Sequence, residues 1–174
     1  MYSDDGGENW SLGGMFPGPF LTSECQAIEF SNSTVFINAR GILTYRIQAI
    51  SNDNGETIEN DRVMPTLVEP LGGCEGSTIL HPLNNWVFYS GPNNRLPQRY
   101  NMSVFISKDE TETWDLYSVI DQGRSAYSSM AILPNNDVVM LYERSNLTGF
   151  IFVPEHISFV SVWSPPDSYE YVNF

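Results

Sequence analysis

Ser125-Ala126-Tyr127-Ser128-Ser129-Met130-Ala131-Ile132-Leu133, a turn at Pro134-Asn135-Asn136-Asp137, and Val138-Val139-Met140-Leu141-Tyr142-Glu143 decide how the chain reads. Two short apolar runs rich in β-branched and aromatic residues, joined by a proline and an Asn/Asp cluster, predict a β-hairpin. It opens on a tyrosine and closes on a glutamate. The pattern recurs upstream, where Glu24-Cys25-Gln26-Ala27-Ile28-Glu29-Phe30 turns at Ser31-Asn32-Ser33 and returns through Thr34-Val35-Phe36-Ile37-Asn38-Ala39 to Arg40. Tyr127 to Glu143 and Glu24 to Arg40 have the same offset. A third copy lies between them, Gly76-Ser77-Thr78-Ile79-Leu80 and Trp86-Val87-Phe88-Tyr89-Ser90 around Asn84-Asn85. The turn asparagines Asn32, Asn84 and Asn136 are evenly spaced at about the repeat length of propeller blades, so the chain is a tandem array of one supersecondary unit.

At 174 residues the chain is long enough for a sizeable core. Its aromatics and regular turn signals predict an all-β protein. No apolar run approaches the ~20 residues needed to cross a bilayer as a helix. Met1 is followed at once by Tyr-Ser-Asp-Asp-Gly-Gly, without the basic and then apolar stretches of a secretory signal. A formal charge of −13 argues against nucleic acid or an anionic membrane as partner, since both call for basic patches. Cys25 and Cys74 are too few for a disulfide framework and lack metal-ligand spacing. Buried free thiols are favoured over a bond between them, which stays open. The Asn and Asp residues show no Ca²⁺-loop spacing, and neither metal nor cofactor is expected. Sequons at Asn9, Asn32, Asn101 and Asn146 permit glycosylation in a secretory route.

Three segments share a second pattern: Ser3-Asp4-Asp5-Gly6-Gly7-Glu8-Asn9-Trp10, Ser51-Asn52-Asp53-Asn54-Gly55-Glu56-Thr57-Ile58 and Ser107-Lys108-Asp109-Glu110-Thr111-Glu112-Thr113-Trp114. Each spells Ser-x-Asp-x-Gly-x-Thr-Trp with some losses. The physics is that of a tight turn: Asp5, Asp53 and Asp109 accept turn N–H groups, Gly7 and Gly55 supply a positive φ, and Thr57, Thr113, Trp10 and Trp114 pin the turn to the sheet. Ser3, Ser51 and Ser107 open the turns. Ile58 replaces Trp in the second and Thr111 replaces Gly in the third, so both are expected to be looser. Leu43–Ser51 and Tyr100–Ser107 read as third strands, Asn60–Pro70 and Gly91–Gln98 as polar connections, and Phe150–Val153 and His156–Val162 as the last strands.

These turns resemble the Asp boxes of sialidases. The hairpin ends add to the likeness: Glu24-Cys25-Gln26 with Asn38-Ala39-Arg40, then Arg99-Tyr100-Asn101-Met102-Ser103, then Tyr127-Ser128-Ser129 with Leu141-Tyr142-Glu143. In that order they look like the C-terminal half of an exo-α-sialidase, in wording similar to the animal lysosomal type. The resemblance implies an all-β fold: a β-propeller fragment of about three four-stranded antiparallel blades from a six-bladed parent, over residues 1–164, with a tail at 165–174. A lysosomal or secreted setting fits the resemblance and the sequons.

A sialic acid carries an ionised carboxylate at its anomeric carbon. Arginine suits it, because its planar fork gives two parallel charge-assisted hydrogen bonds. Sialidases use three arginines, and the resemblance places the second and third at Arg40 and Arg99. An anionic nucleophile would be repelled by that carboxylate, so the family uses a tyrosine with a glutamate to take its proton. By resemblance Tyr127 is the nucleophile, Glu24 its base, and Glu143 the carboxylate that orients the first arginine. Taken singly, Tyr127 reads as a packing residue and Glu24–Arg40 as a surface ion pair. Their joint order and spacing raise them above that. Arg46, Arg62, Arg95, Arg124, Arg144, His81 and His156 keep ordinary structural roles.

The family's first arginine, in an Arg-Ile-Pro context, and its acid/base aspartate belong to the N-terminal half, and no Arg-Ile-Pro occurs here. Without that proton donor a loss of roughly 10²–10⁴ in rate is expected, leaving the isolated chain inactive or nearly so. About three blades also leave both propeller ends open, with an apolar face at Tyr2–Phe20 and scope for self-association. Sialylated glycans are the expected partners. The alternative is a non-catalytic Asp-box segment that binds glycans or a protein.

Overall fold

The computed structural model describes residues 1–148 and 152–166. Ten strands occur among them: β1 (Thr22–Glu29), β2 (Val35–Gly41), β3 (Tyr45–Ser51), β4 (Glu59–Val68), β5 (Ser77–Leu80), β6 (Val87–Pro92), β7 (Tyr100–Ser107), β8 (Asp115–Ile132), β9 (Val138–Ser145) and β10 (His156–Trp163). All pairings are antiparallel, in one sheet ordered β1-β2-β3-β4 and another ordered β10-β9-β8-β7-β6-β5. The fold is an all-β arc of propeller blades. The first and middle blades are four-stranded, as expected. The 18-residue β8 is the outer strand of the middle blade and then the inner strand of the last, which shows three strands among the described residues.

Two apolar layers hold the arc together, each between neighbouring blades. Phe30, Phe36, Met64 and Leu67 of the first blade pack on Val87, Tyr89, Phe105 and Trp114 of the middle one. Phe88, Met102, Val104 and Ile106 from the other face of the middle blade pack on Met130, Val138, Met140 and Tyr142 of the last. Successive side chains of a strand point to opposite faces, so β6 feeds both layers and is buried throughout. The outer face of the last blade lacks such a cover among the described residues, and Leu141, Ile157 and Phe159 are exposed there. Trp10, Leu12, Met15 and Leu21 are exposed near the start of the chain.

The Asp boxes at 51–58 and 107–114 link third to fourth strands, and the one at 3–10 is closed by a Tyr2–Ser11 bridge. In the second box Asp53 accepts the Thr57 N–H at 2.9 Å and its hydroxyl at 2.6 Å, while the Gly55 N–H donates to Ser51 Oγ at 2.8 Å. In the first, Asn9 stands in for Thr, giving its N–H and its amide to Asp5. The third box, expected to be looser, makes the same set: Asp109 accepts the Thr113 N–H and hydroxyl, and Ser107 Oγ accepts the Thr111 N–H. Thr111 takes the left-handed conformation itself, at φ 73°.

Other expectations need correction. Asn60–Pro70, expected as a polar connection, is largely strand β4. Its polar residues hide two buried positions, Met64 and Leu67, set three apart across a register shift in the pairing with β3, and an edge strand tolerates Pro65. In the hairpin turns, the Thr34 and Trp86 N–H groups donate to the Asn32 and Asn84 side chains, but the third turn uses Asn135, which accepts the Asp137 N–H. Asn136 is instead the left-handed residue, matching Ser33 and Asn85. Both cysteines are free thiols, and Cys25 is exposed rather than buried. Burial pushes the Cys74 thiol up to about 12. Phe152 and Val153 form no strand, Phe150 and Ile151 lie outside the described residues, and so does the tail beyond Pro166.

Candidate active site

The strand register sends the Asp boxes at 51–58 and 107–114 to one end of their blades and gathers Glu24, Arg40, Arg99 and Tyr127 at the other. Two bulges aim the key side chains. On β1 the pairing with β2 slips between Thr22 and Cys25, leaving an extra residue where Glu24 sits. On β8 the pairing with β9 slips in the same way between Ser125 and Ser128, around Tyr127. A bulge bends the strand and re-aims the residue within it, so both side chains turn off the sheet toward the same space.

There the Tyr127 hydroxyl donates to Glu24 Oε1 at 3.0 Å, across 103 positions of sequence. Arg40 Nη1 donates to both Glu24 oxygens, at 3.1 and 2.9 Å. The Arg99 guanidinium lies 5.2 Å from the Tyr127 ring centroid. Burial pulls the Glu24 carboxyl up, but the Tyr127 hydroxyl and Arg40 outweigh it, and the group titrates below the ordinary Glu range. It is therefore an anion that accepts the Tyr127 hydroxyl. Burial works against the charge of Arg40, and Glu24 more than offsets it.

Both arginines rest on consecutive carbonyls. Arg40 Nε and Nη2 donate to Gly72 O at 3.1 and 2.7 Å, and Arg99 Nη2 donates to Gly73 O at 3.3 Å. Glu143 stands on the far side of Tyr127 and accepts that residue's N–H at 3.3 Å. It lines a hollow of about 360 Å³ with Glu75, Leu141 and Ile157. Tyr127 is 37% exposed, so it is open to a ligand.

Sequence reasoning passed over Glu75, Gly72 and Gly73. Glu75 accepts the Ser128 N–H at 3.1 Å, and its carboxyl is pushed up by burial, against the pull of that bond. Its signal was present: Glu75 precedes the inner strand of the middle blade just as Glu24 and Tyr127 stand in theirs. Gly72 and Gly73 show only as a doublet, and both are left-handed, at φ 88° and 72°. Arg46, expected to be merely structural, is buried with Glu69 beneath this turn. Among the described residues no group of His, Cys, Asp or Glu could hold a metal ion.

These features define an Asp-box β-propeller arc whose blades converge on a tyrosine, a glutamate and two arginines. A family model described as a BNR repeat-like domain matches residues 1–140, animal sialidases match most of the chain, and the chain belongs to this sialidase family. Sialidase-2 of Cricetulus griseus is 30% identical over 169 residues, covering 87% of this chain and 44% of the relative. Sialidase-3 of Mus musculus is 26% identical over 183 residues, covering 80% and 43%. The chain thus spans less than half the length of the curated relatives it matches. Among solved structures, the intramolecular trans-sialidase of Ruminococcus gnavus, in complex with oseltamivir carboxylate, gives a TM-score of 0.74 at 22% identity, over 93% of this chain and 37% of that one. The leech intramolecular trans-sialidase, complexed with 2,7-anhydro-Neu5Ac, gives 0.75 at 22%, over 94% and 27%. At these identities the likeness is one of fold.

Proposed function

We propose that the chain carries the nucleophile side of an exo-α-sialidase site, a retaining glycosidase that releases terminal sialic acid from glycoproteins, glycolipids or oligosaccharides. The observation that carries this reading is the Tyr127 hydroxyl on Glu24, with Arg40 and Arg99 flanking it. Arg40 and Arg99 grip the substrate carboxylate. Tyr127 Oη attacks the anomeric carbon as its proton passes to Glu24, and the glycosidic oxygen leaves. Water then attacks the same carbon, losing a proton to the group outside this chain that protonated the leaving oxygen, while the bond to Tyr127 Oη breaks and Glu24 returns the proton to it, so the configuration is retained after two inversions. The cation over the Tyr127 ring favours the charge that develops on its oxygen.

Protonation of the leaving oxygen falls to an acid from outside this chain. We therefore assign the chain binding of sialic acid with little or no turnover of its own, and hydrolysis to a longer protein that contains it. The test is titration of the chain with N-acetylneuraminic acid and with its methyl ester, beside hydrolysis of a fluorogenic α-sialoside. Carboxylate-dependent binding that is lost in Arg99→Ala is expected, with turnover by the chain alone lower by roughly 10²–10⁴ than that of a complete site. Equal binding of acid and ester, or none of either, would sink the reading. In a longer, active protein Tyr127→Phe abolishes turnover; near-normal hydrolysis there removes Tyr127 from its role.

A further inference from the structure

We infer that the left-handed Gly72–Gly73 turn, clamped from beneath by the buried Arg46–Glu69 pair, sets the direction of both Arg40 and Arg99, so that Glu69 and Arg46 are positioning residues for a bound carboxylate. The inference rests on the proposed role of those two arginines. Its geometry runs through one carboxylate. Glu69 Oε1 accepts the Gly41 N–H at 2.7 Å, the backbone group next after Arg40. Glu69 Oε2 accepts the Cys74 N–H at 3.2 Å, the group next after Gly73, and pairs with Arg46 Nη1 at 3.3 Å. One side chain thereby fixes the end of the strand that carries Arg40 to the turn on which Arg40 and Arg99 rest.

Arg46 closes the frame. Its Nη1 donates to Cys74 O at 2.7 Å and its Nε to Asn38 Oδ1 at 2.8 Å, and Asn38 lies just before Arg40 on the same strand. Both members of the pair are essentially inaccessible to solvent, at 1% and 0%. A pair bonded this fully has one arrangement rather than several. The turn itself has no slack. A Cβ at Gly73 would strike the Gly41 carbonyl and come within 2.6 Å of Arg40 Cγ. Glycine is needed there both for its φ and to let the arginine stem pass.

The turn spends its two carbonyls on the arginines, which orients each fork. Arg40 uses Nε and one Nη on Gly72 O, and Arg99 uses a single Nη on Gly73 O. Arg40 Nη1 is left for the Glu24 carboxylate. Moving the turn would redirect both forks at once, without touching either arginine or Tyr127.

The experiment uses the full chain with Glu69→Gln, which keeps the shape and removes the charge, and Gly72→Ala, whose Cβ meets nothing within 4 Å and disturbs only the backbone conformation. Exchange of the Arg40 Nε proton, read by ¹⁵N–¹H NMR, is expected to quicken about tenfold in Glu69→Gln as its bond to Gly72 O loosens, with the strand amides of β7 to β9 unchanged. Affinity for N-acetylneuraminic acid is expected to fall about tenfold or more, as for the loss of one charge-assisted bond, with no matching change for its methyl ester. Gly72→Ala is expected to shift both readouts in the same direction, so the test survives if Glu69→Gln does not fold. Unchanged Arg40 exchange in a folded variant, or equal losses for acid and ester, overturns the inference. If the unaltered chain binds neither ligand, the proposed function fails, and the exchange measurement still decides the positioning role.

Discussion

In the turns at 51–58 and 107–114 the side-chain hydrogen bonds that fix the backbone close within four residues, whereas at the opposite end of the same blades Tyr127 meets Glu24 across 103 positions. The box end is made of exposed carboxylates satisfied by neighbouring N–H and hydroxyl groups. The other end stands on a buried Arg–Glu pair, a glycine doublet and bulges in two different blades. Local bonds form as soon as the turn does and cost little loop entropy, while the site waits on the docking of blades. Damage at a box should therefore stay local, and damage beneath the site should spread.

The largest expected effect follows from breaking the buried pair. Arg46→Ala leaves Glu69 without its counter-charge and unpins the Cys74 carbonyl and the Asn38 side chain together. A loss of about 3–5 kcal/mol in unfolding free energy is expected by urea denaturation. A loss below about 1 kcal/mol would mean that the pair is a passenger rather than the base of the site. The box counterpart is Asp109→Ala. It removes the acceptor for the Thr113 N–H and hydroxyl in an exposed turn, and about 1 kcal/mol or less is expected. Hydrogen exchange should quicken only in 107–114. Exchange spreading into β5 or β9 would erase the distinction between the two ends.

Acid separates the ends without mutation. In the boxes, Asn9 bonds hold the Asp5 carboxyl down at about 2, and Thr57 and Thr113 lower Asp53 and Asp109. A depressed carboxyl contributes stability that is complete above the unfolded value of 3.8 and is lost as pH falls through the folded value. Beneath the site burial raises Glu69 and Glu75 instead. The native state then holds their protons more tightly than the unfolded chain, so their ionisation costs stability as pH rises above the unfolded value of 4.5, and acidification relieves it. Followed by NMR, the Ser128 amide on Glu75 should titrate above 4.5 and the Thr113 amide on Asp109 below 3.8. A shared midpoint would mean that one global transition, not two environments, is being read.

The same division explains how much could be read from residues alone. Ser-x-Asp-x-Gly-x-Thr is legible because each partner lies within the window the eye scans, and the hairpins are legible because apolar alternation has period two. β4 was hidden by Asn60, Asp61 and Arg62, whose polarity follows from an exposed edge rather than from a loop. The length of β8 was hidden because its two halves serve different blades. Tyr127, Glu24, Arg40 and Arg99 were named only through a family resemblance, since no local rule marks a tyrosine in a bulge. Arg46 and Glu69 could not be assigned as partners, because nothing in Tyr-Arg-Ile or Val-Glu-Pro says that the two meet.

The smallest effect tests the box end where threonine replaces glycine. Thr111 stands where the turn wants glycine and adopts φ 73°, a region that costs a residue with a Cβ about 1–2 kcal/mol. Thr111→Gly removes that strain but frees the unfolded chain, a cost of about 0.5–1 kcal/mol, and gives up a buried methyl group. The balance is a gain of about 0.5 kcal/mol at most, or about 1–2 °C in a thermal melt for a chain of this length. A lower melting temperature would show that the Thr111 side chain holds the turn against the middle blade, and that even a local turn draws on packing between elements.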